Sequence, residues 1–232
     1  MSYRTLNATY IVETLHTLER RINERFPGSG LAEVCRELIG IAEETQERST
    51  LIAKPNFVLR ALIYFAIFAG LAGLAIVVAQ LNFQVGSAEL FNVFQGVEAA
   101  ANIVVLAGAA LFFAVTLETR IKRRRALKDL HFFRSIAHVI DMHQLTKDPS
   151  VVVSSAAPTA SSPPRTITGF ALARYLDYCS EMLSLTNKLA ALYAQNLPDA
   201  VVVEAVNDIE RLTTNLSSKI WQKITILDAR GS

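Results

Sequence analysis

Residues Ala61 to Ala79 read ALIYFAIFAGLAGLAIVVA, and residues Ala99 to Leu117 read AAANIVVLAGAALFFAVTL. Each run is 19 residues long and carries no charge. As a helix rising about 1.5 Å per residue, each spans roughly 29 Å, which matches a hydrocarbon core of about 30 Å. A helix satisfies its backbone hydrogen bonds internally, so each run reads as a membrane-spanning helix. Two such runs with no Lys or Arg anywhere from Ala61 to Thr119 read poorly as core helices of a soluble protein. Working outward, Arg48, Lys54 and Arg60 precede the first run, and Arg120, Lys122, Arg123, Arg124, Arg125 and Lys128 follow the second. The intervening stretch, Gln80 to Glu98, has neither Lys nor Arg. Basic residues stay on the cytoplasmic side, so the stretch is expected outside and both termini in the cytoplasm, as in a multi-pass protein of a bacterial inner (plasma) membrane.

Within the outer stretch, SAELFNVFQGVEAAA from Ser87 is amphipathic. Ser87 suits an N-cap and Glu89 a first turn, so a helix is expected to begin there and run into the second span. Ala66, Gly70 and Gly73 in the first span, and Ala107, Gly108, Ala110 and Ala114 in the second, permit close helix approach. They suit packing of the two spans on each other within one chain, or of some of their faces between subunits.

The remainder of the chain is charged and helical in pattern. Ile11, Leu15, Leu18, Ile22 and Phe26 recur at spacings of three and four, as do Leu31, Val34, Cys35, Leu38, Ile41 and Ala42. Pro27-Gly28-Ser29-Gly30 breaks them apart, so an antiparallel pair of helices is expected over residues 1–54. Residues 55–119 hold the two spans. From Thr119 a basic helix is expected to continue through residues 120–149, with Ile121, Leu127, Leu130, Ile136, Val139 and Ile140 on its apolar side and Asp148-Pro149 ending it. Residues 150–166, rich in Ser, Ala and Pro without periodicity, read as a flexible linker.

Residues 167–232 give a second helical pair. Phe170, Ala173, Leu176, Cys179, Leu183, Thr186, Leu189 and Tyr193 line one helix. Val202, Val206, Ile209, Leu212, Leu216, Ile220, Ile224 and Leu227 line the other, at near-heptad spacing. Asn196-Leu197-Pro198-Asp199 turns between them, with Pro198 suited to a first helical turn. The expected fold is all-α: a two-span transmembrane helical hairpin carrying cytosolic amphipathic hairpins from both termini that form a bundle.

The early residues interleave charge with hydrophobe, as in Glu13, Glu19, Arg20, Arg21, Glu24 and Arg25. This is not the basic start and apolar run of a cleaved signal, so the first span is expected to act as an uncleaved anchor. Cys35 and Cys179, the only two cysteines, fall on apolar faces and read as buried free thiols of a reducing compartment.

Candidate functional residues are few. Arg120, Lys122, Arg123, Arg124 and Arg125 read as a membrane anchor or an anionic-lipid contact, making membrane lipids the expected partner. Glu98 and Glu118 bracket the second span and Asn102 lies within it. They are headgroup-boundary residues, or the rings of a pore if several copies surround one. His131, His138, Asp141 and His143 lack the convergence a metal site needs, so no metal is expected. No phosphate-binding loop, dinucleotide fingerprint, nucleophile elbow or CxxC pair occurs, which gives neither an enzyme nor a cofactor a footing. The net charge of +2 gives no reason to expect nucleic acid. The expectation is a non-enzymatic membrane protein whose cytosolic helices form a homo-oligomer or dock a protein partner. The alternative is a homo-oligomeric pore. The order of elements resembles that of two-span bacterial defence effectors of the SLATT type, a resemblance of layout alone, which implies oligomerisation and breaching of the membrane.

Overall fold

The structure, a computed structural model, describes residues 4–80, 90–149 and 167–229, with the side chains of residues 71, 74–80 and 90–100 set aside. Among the described residues every regular element is a helix: α1 (Ala8–Arg25), α2 (Gly30–Ala53), α3 (Phe57–Gln80), α4 (Leu90–Leu145), α5 (Gly169–Asn196) and α6 (Ala200–Asp228). The chain divides into two compact units, one made of residues 1–53 and 123–232 and the other of residues 54–122. The expected linker, residues 150–166, and the expected N-cap Ser87 lie outside the described residues.

Unit 54–122 holds the two apolar runs, on α3 and the first half of α4. Among the described residues, the stretches long and apolar enough to cross a membrane fall within residues 30–70 and 101–145, and only 6% and 0% of their most apolar windows are buried. That low burial separates them from the core helices of a soluble protein, which hide such surface. Phe65 and Leu106, for example, are each 71% exposed. Among the described residues, and apart from the helix's own backbone, no atom lies within 4 Å of where a Cβ would stand on Gly70, Gly73 or Gly108. α4 runs unbroken from Leu90 to Leu145, so the second span and the basic segment are one helix, as its sequence suggests.

The other unit encloses a core drawn from α1, α2, α4, α5 and α6. α1 packs on α2, α5 packs on both, and α5 and α6 share the most extensive pairing. Local signals set the helix ends. The Asn7, Thr168 and Asp199 side chains each accept a backbone N–H of the first turn that follows, which meets part of the unsatisfied donor set of a helix N-terminus. Gly28, at φ +68°, makes the left-handed turn between α1 and α2 that other L-residues resist. Pro198 precedes the Asp199 cap instead of occupying the first turn of α6.

The stripes largely follow the periodicity, with three shifts. On α6 the expected Leu212 is half-buried against the core, Thr213 is buried beside it, and the Thr213 hydroxyl donates to the Ile209 carbonyl at 3.0 Å. A back-bonded hydroxyl needs no other partner and can enter a core. On α5 Phe170 is exposed, whereas Leu172, Tyr175, Tyr178, Met182, Leu185 and Leu192 are buried as well as the expected stripe. α5 meets α1, α2 and α6, so it buries far more than one face. On α4 the inward stripe is Ala126, Leu130, Phe133, Ala137 and Ile140, with Ile136 beside it, while Val139 is exposed. This set keeps the alternating four-three spacing of a heptad seam.

Candidate functional site

The heptad on α4 decides where each basic side chain of the run Arg120–Arg125 points. Counting back from Ala126 by three residues and from Leu130 by seven reaches Arg123 on the inward side. Lys122 and Arg123 are both engaged. In unit 54–122, Lys122 Nζ lies 2.9 Å from Glu118 Oε1 and donates to the Lys54 carbonyl at 2.7 Å. Glu118 also receives Arg60 Nε at 2.7 Å and the Asn56 backbone N–H at 3.0 Å. One carboxylate thus sits between two cations and a backbone donor, just past the last residue of the second apolar run. Glu118 is buried and its charge is more than matched locally.

Arg123, in the other unit, donates through Nε and Nη2 to Asp199 Oδ2 at 3.0 and 2.6 Å. The same carboxylate caps α6 by accepting from the Val201 and Val202 N–H groups through Oδ1. The guanidinium of Arg123 and these backbone donors hold the Asp199 carboxyl below the usual carboxylate range, against the opposing effect of burial. A carboxyl depressed on folding contributes stability above its unfolded pKa and loses it as pH falls through the folded value. Stability of this unit is therefore expected to be level near neutrality and to fall as acid protonates Asp199. Asp199→Asn, which keeps a cap but removes the charge, should flatten that part of the acid limb at a cost of about 1 kcal/mol or less at pH 7. An acid unfolding series comparing the two proteins checks this, and coincident acid limbs would contradict it.

The outward cations differ. Arg120, Arg124, Arg125 and Lys128 are exposed. Arg120 stacks over the Phe113 ring at 5.4 Å. Among the described residues Arg124, Arg125 and Lys128 make no ion pair or hydrogen bond.

Further along α4, buried polar groups tie the helix into the core. Asp129 accepts from the Tyr193 hydroxyl at 2.9 Å and from Arg48 Nη1 at 3.0 Å. Burial first, and the Asp129 charge second, push the Tyr193 phenol well above its ordinary pKa, so it remains a donor. Lys223 of α6 donates to the backbone carbonyl and Oε1 of buried Gln144 at 2.8 and 2.7 Å, and burial lowers its pKa. Sequence reading did not single out Asp129, Tyr193, Asp199 or Lys223 as polar anchors. Asp129 had a signal: it stands three residues after Ala126 and four before Phe133, on the inward side.

The remaining candidates are scattered. Asn102 is exposed within the apolar run; the Glu98 side chain lies outside the described residues. Cys35 and Cys179 are free and buried, and burial pushes both thiols up to about 12. Among the described residues no group of three or more His, Cys, Asp or Glu side chains is placed to hold a metal ion. A groove of about 810 Å³ runs beside the start of α1, lined by Thr9, Thr14, Gln46, Lys188 and Gln195 among others. Gln195 pairs its side-chain amide with the backbone N–H and carbonyl of Leu6, also in its lining, at 2.8 and 3.3 Å. No protein-family model, curated protein or solved structure matches this chain.

Proposed function

We propose that this chain is a non-enzymatic integral membrane protein of a bacterial inner membrane. It crosses the bilayer twice, through Ala61–Ala79 and Ala99–Leu117, and its helices outside the membrane self-associate or dock a protein partner at the membrane surface. In this reading both termini are cytoplasmic, and the amphipathic hairpins at the two ends of the chain form one bundle. The observation that carries it is the exposure of the described part of both apolar runs, in a chain whose other unit has its own buried core. Phe65, Phe68, Leu106 and Phe112 would give a soluble monomer far more contiguous apolar surface than such proteins expose; in lipid the same surface is at rest. The open faces at Gly70, Gly73 and Gly108 favour contacts between copies.

The topology is tested by inserting reporters near Gly86 and at the C-terminus. An exported phosphatase active at Gly86, with a fluorescent fusion bright at the C-terminus, is the expected pair of results. Cytoplasmic behaviour at Gly86 would sink the two-span topology. A protein strictly monomeric in mild detergent that retains no partner would count against the association.

A second reading, a homo-oligomeric pore such as a defence effector forms, is favoured by exposed Asn102 within the apolar run and by the same open glycine faces. Glu118 supports it less, because Arg60 and Lys122 already compensate its charge. Ion flux in proteoliposomes, with selectivity altered by Glu98→Gln or Asn102→Leu, separates this reading from the first.

A further inference from the structure

We infer that Arg124 and Arg125, with Lys128 one turn further on, form a contact site for anionic phospholipid headgroups, and that Lys122 and Arg123 take no part in it. The inference rests on the two-span reading and deepens it by naming the partner of the basic run. The five basic residues Arg120 and Lys122–Arg125 look equivalent in sequence, but the fold divides them. Lys122 is committed to Glu118 and the Lys54 carbonyl, and Arg123 to the cap of α6. Arg124, Arg125 and Lys128 are exposed and make no ion pair or hydrogen bond among the described residues.

Lys128 stands four residues after Arg124 and three after Arg125, spacings at which like charges on a helix repel. Among the described residues no ion pair relieves that repulsion, and nearby Asp129 is buried and already holds Arg48 and Tyr193. An anionic surface would relieve it. Position along the helix selects which surface. Arg124 and Arg125 follow the last residue of the second apolar run, Leu117, by seven and eight residues, or roughly 10–12 Å at about 1.5 Å per residue. The headgroup layer is about 5–8 Å deep on each side, so that distance puts the two backbones just beyond it, where an arginine side chain reaches back into the layer. The planar guanidinium matches phosphate oxygens two at a time.

The test uses the full-length protein in nanodiscs of phosphatidylcholine with three parts in ten phosphatidylglycerol. Lipid retained after transfer to mild detergent is quantified by mass spectrometry. Wild-type protein is expected to retain phosphatidylglycerol above its bulk fraction. R124Q/R125Q should lower that preference by about tenfold or more, from about fivefold per arginine. K122Q should leave the preference unchanged while lowering the melting temperature. An unchanged preference in R124Q/R125Q, or displacement of the lipid by millimolar inorganic phosphate, would overturn the inference. Alkaline carbonate extraction of cell membranes carrying the full-length protein keeps the two readings apart. Protein that stays with the membrane but shows no lipid preference refutes only the headgroup site. Protein released by carbonate refutes the two-span reading, and the headgroup site with it.

Discussion

Replacing Phe133 by alanine is expected to destabilise the helical unit of residues 1–53 and 123–232 by about 3–5 kcal/mol. Phe133 is fully buried, and its ring meets that of Tyr193 edge-on, with centroids 6.2 Å apart and planes at 60°. Truncation removes its transfer free energy, leaves a cavity and breaks an aromatic pair worth about 0.5–1.5 kcal/mol by itself. The neighbouring Phe132 is 44% exposed and supplies an internal control. Phe132→Ala should stay within about 0.5 kcal/mol of wild type, as surface changes usually do. Urea midpoints followed by circular dichroism in mild detergent read both values. Equal midpoints for the two variants would mean that α4 does not turn its Ala126–Phe133–Ile140 side inward.

Asp129→Ala is the second large effect, expected at about 3 kcal/mol. The substitution leaves the fully buried Tyr193 hydroxyl without its acceptor, and an orphaned buried donor costs about 1–3 kcal/mol. It also strips Arg48 of one of its two carboxylates, Glu44 being the other. Tyr193→Phe should cost less, about 1 kcal/mol, because Asp129 keeps Arg48. The double variant should be more stable than the sum of the two single losses, since removing both partners leaves no orphaned hydroxyl. Strict additivity, or a loss below about 0.5 kcal/mol for Asp129→Ala, would show that the contacts of Asp129 with Tyr193 and Arg48 do not hold these three helices together.

Much of the helical plan is legible in the chain. Pro27-Gly28-Ser29-Gly30 separates α1 from α2, Pro55 falls between α2 and α3, and Leu197 to Asp199 separates α5 from α6. Breakers act through their own backbone conformations, so no distant residue is needed to place them. Amphipathic stripes are nearly as plain wherever a helix buries a single face, as α1 does with Ile11, Leu15, Leu18 and Ile22. Periodicity says less about α5. A helix covered from several sides has no single stripe, and the burial of Tyr175, Met182 and Leu192 follows from how many neighbours it has.

The charged positions divide along the same line. Sequence by itself determined the two uncharged 19-residue runs, the basic cluster that follows them and the break points between helices. These depend on composition, length and local backbone preference. Only the tertiary structure decided that Lys122 reaches the Lys54 carbonyl across 68 residues of chain, that Arg123 reaches Asp199 across 76 and that Arg124 and Arg125 stay exposed. Five basic side chains within six positions are chemically alike. Their different fates come from the roughly 100° that a helix turns at each residue and from which carboxylates the fold brings to the inward side.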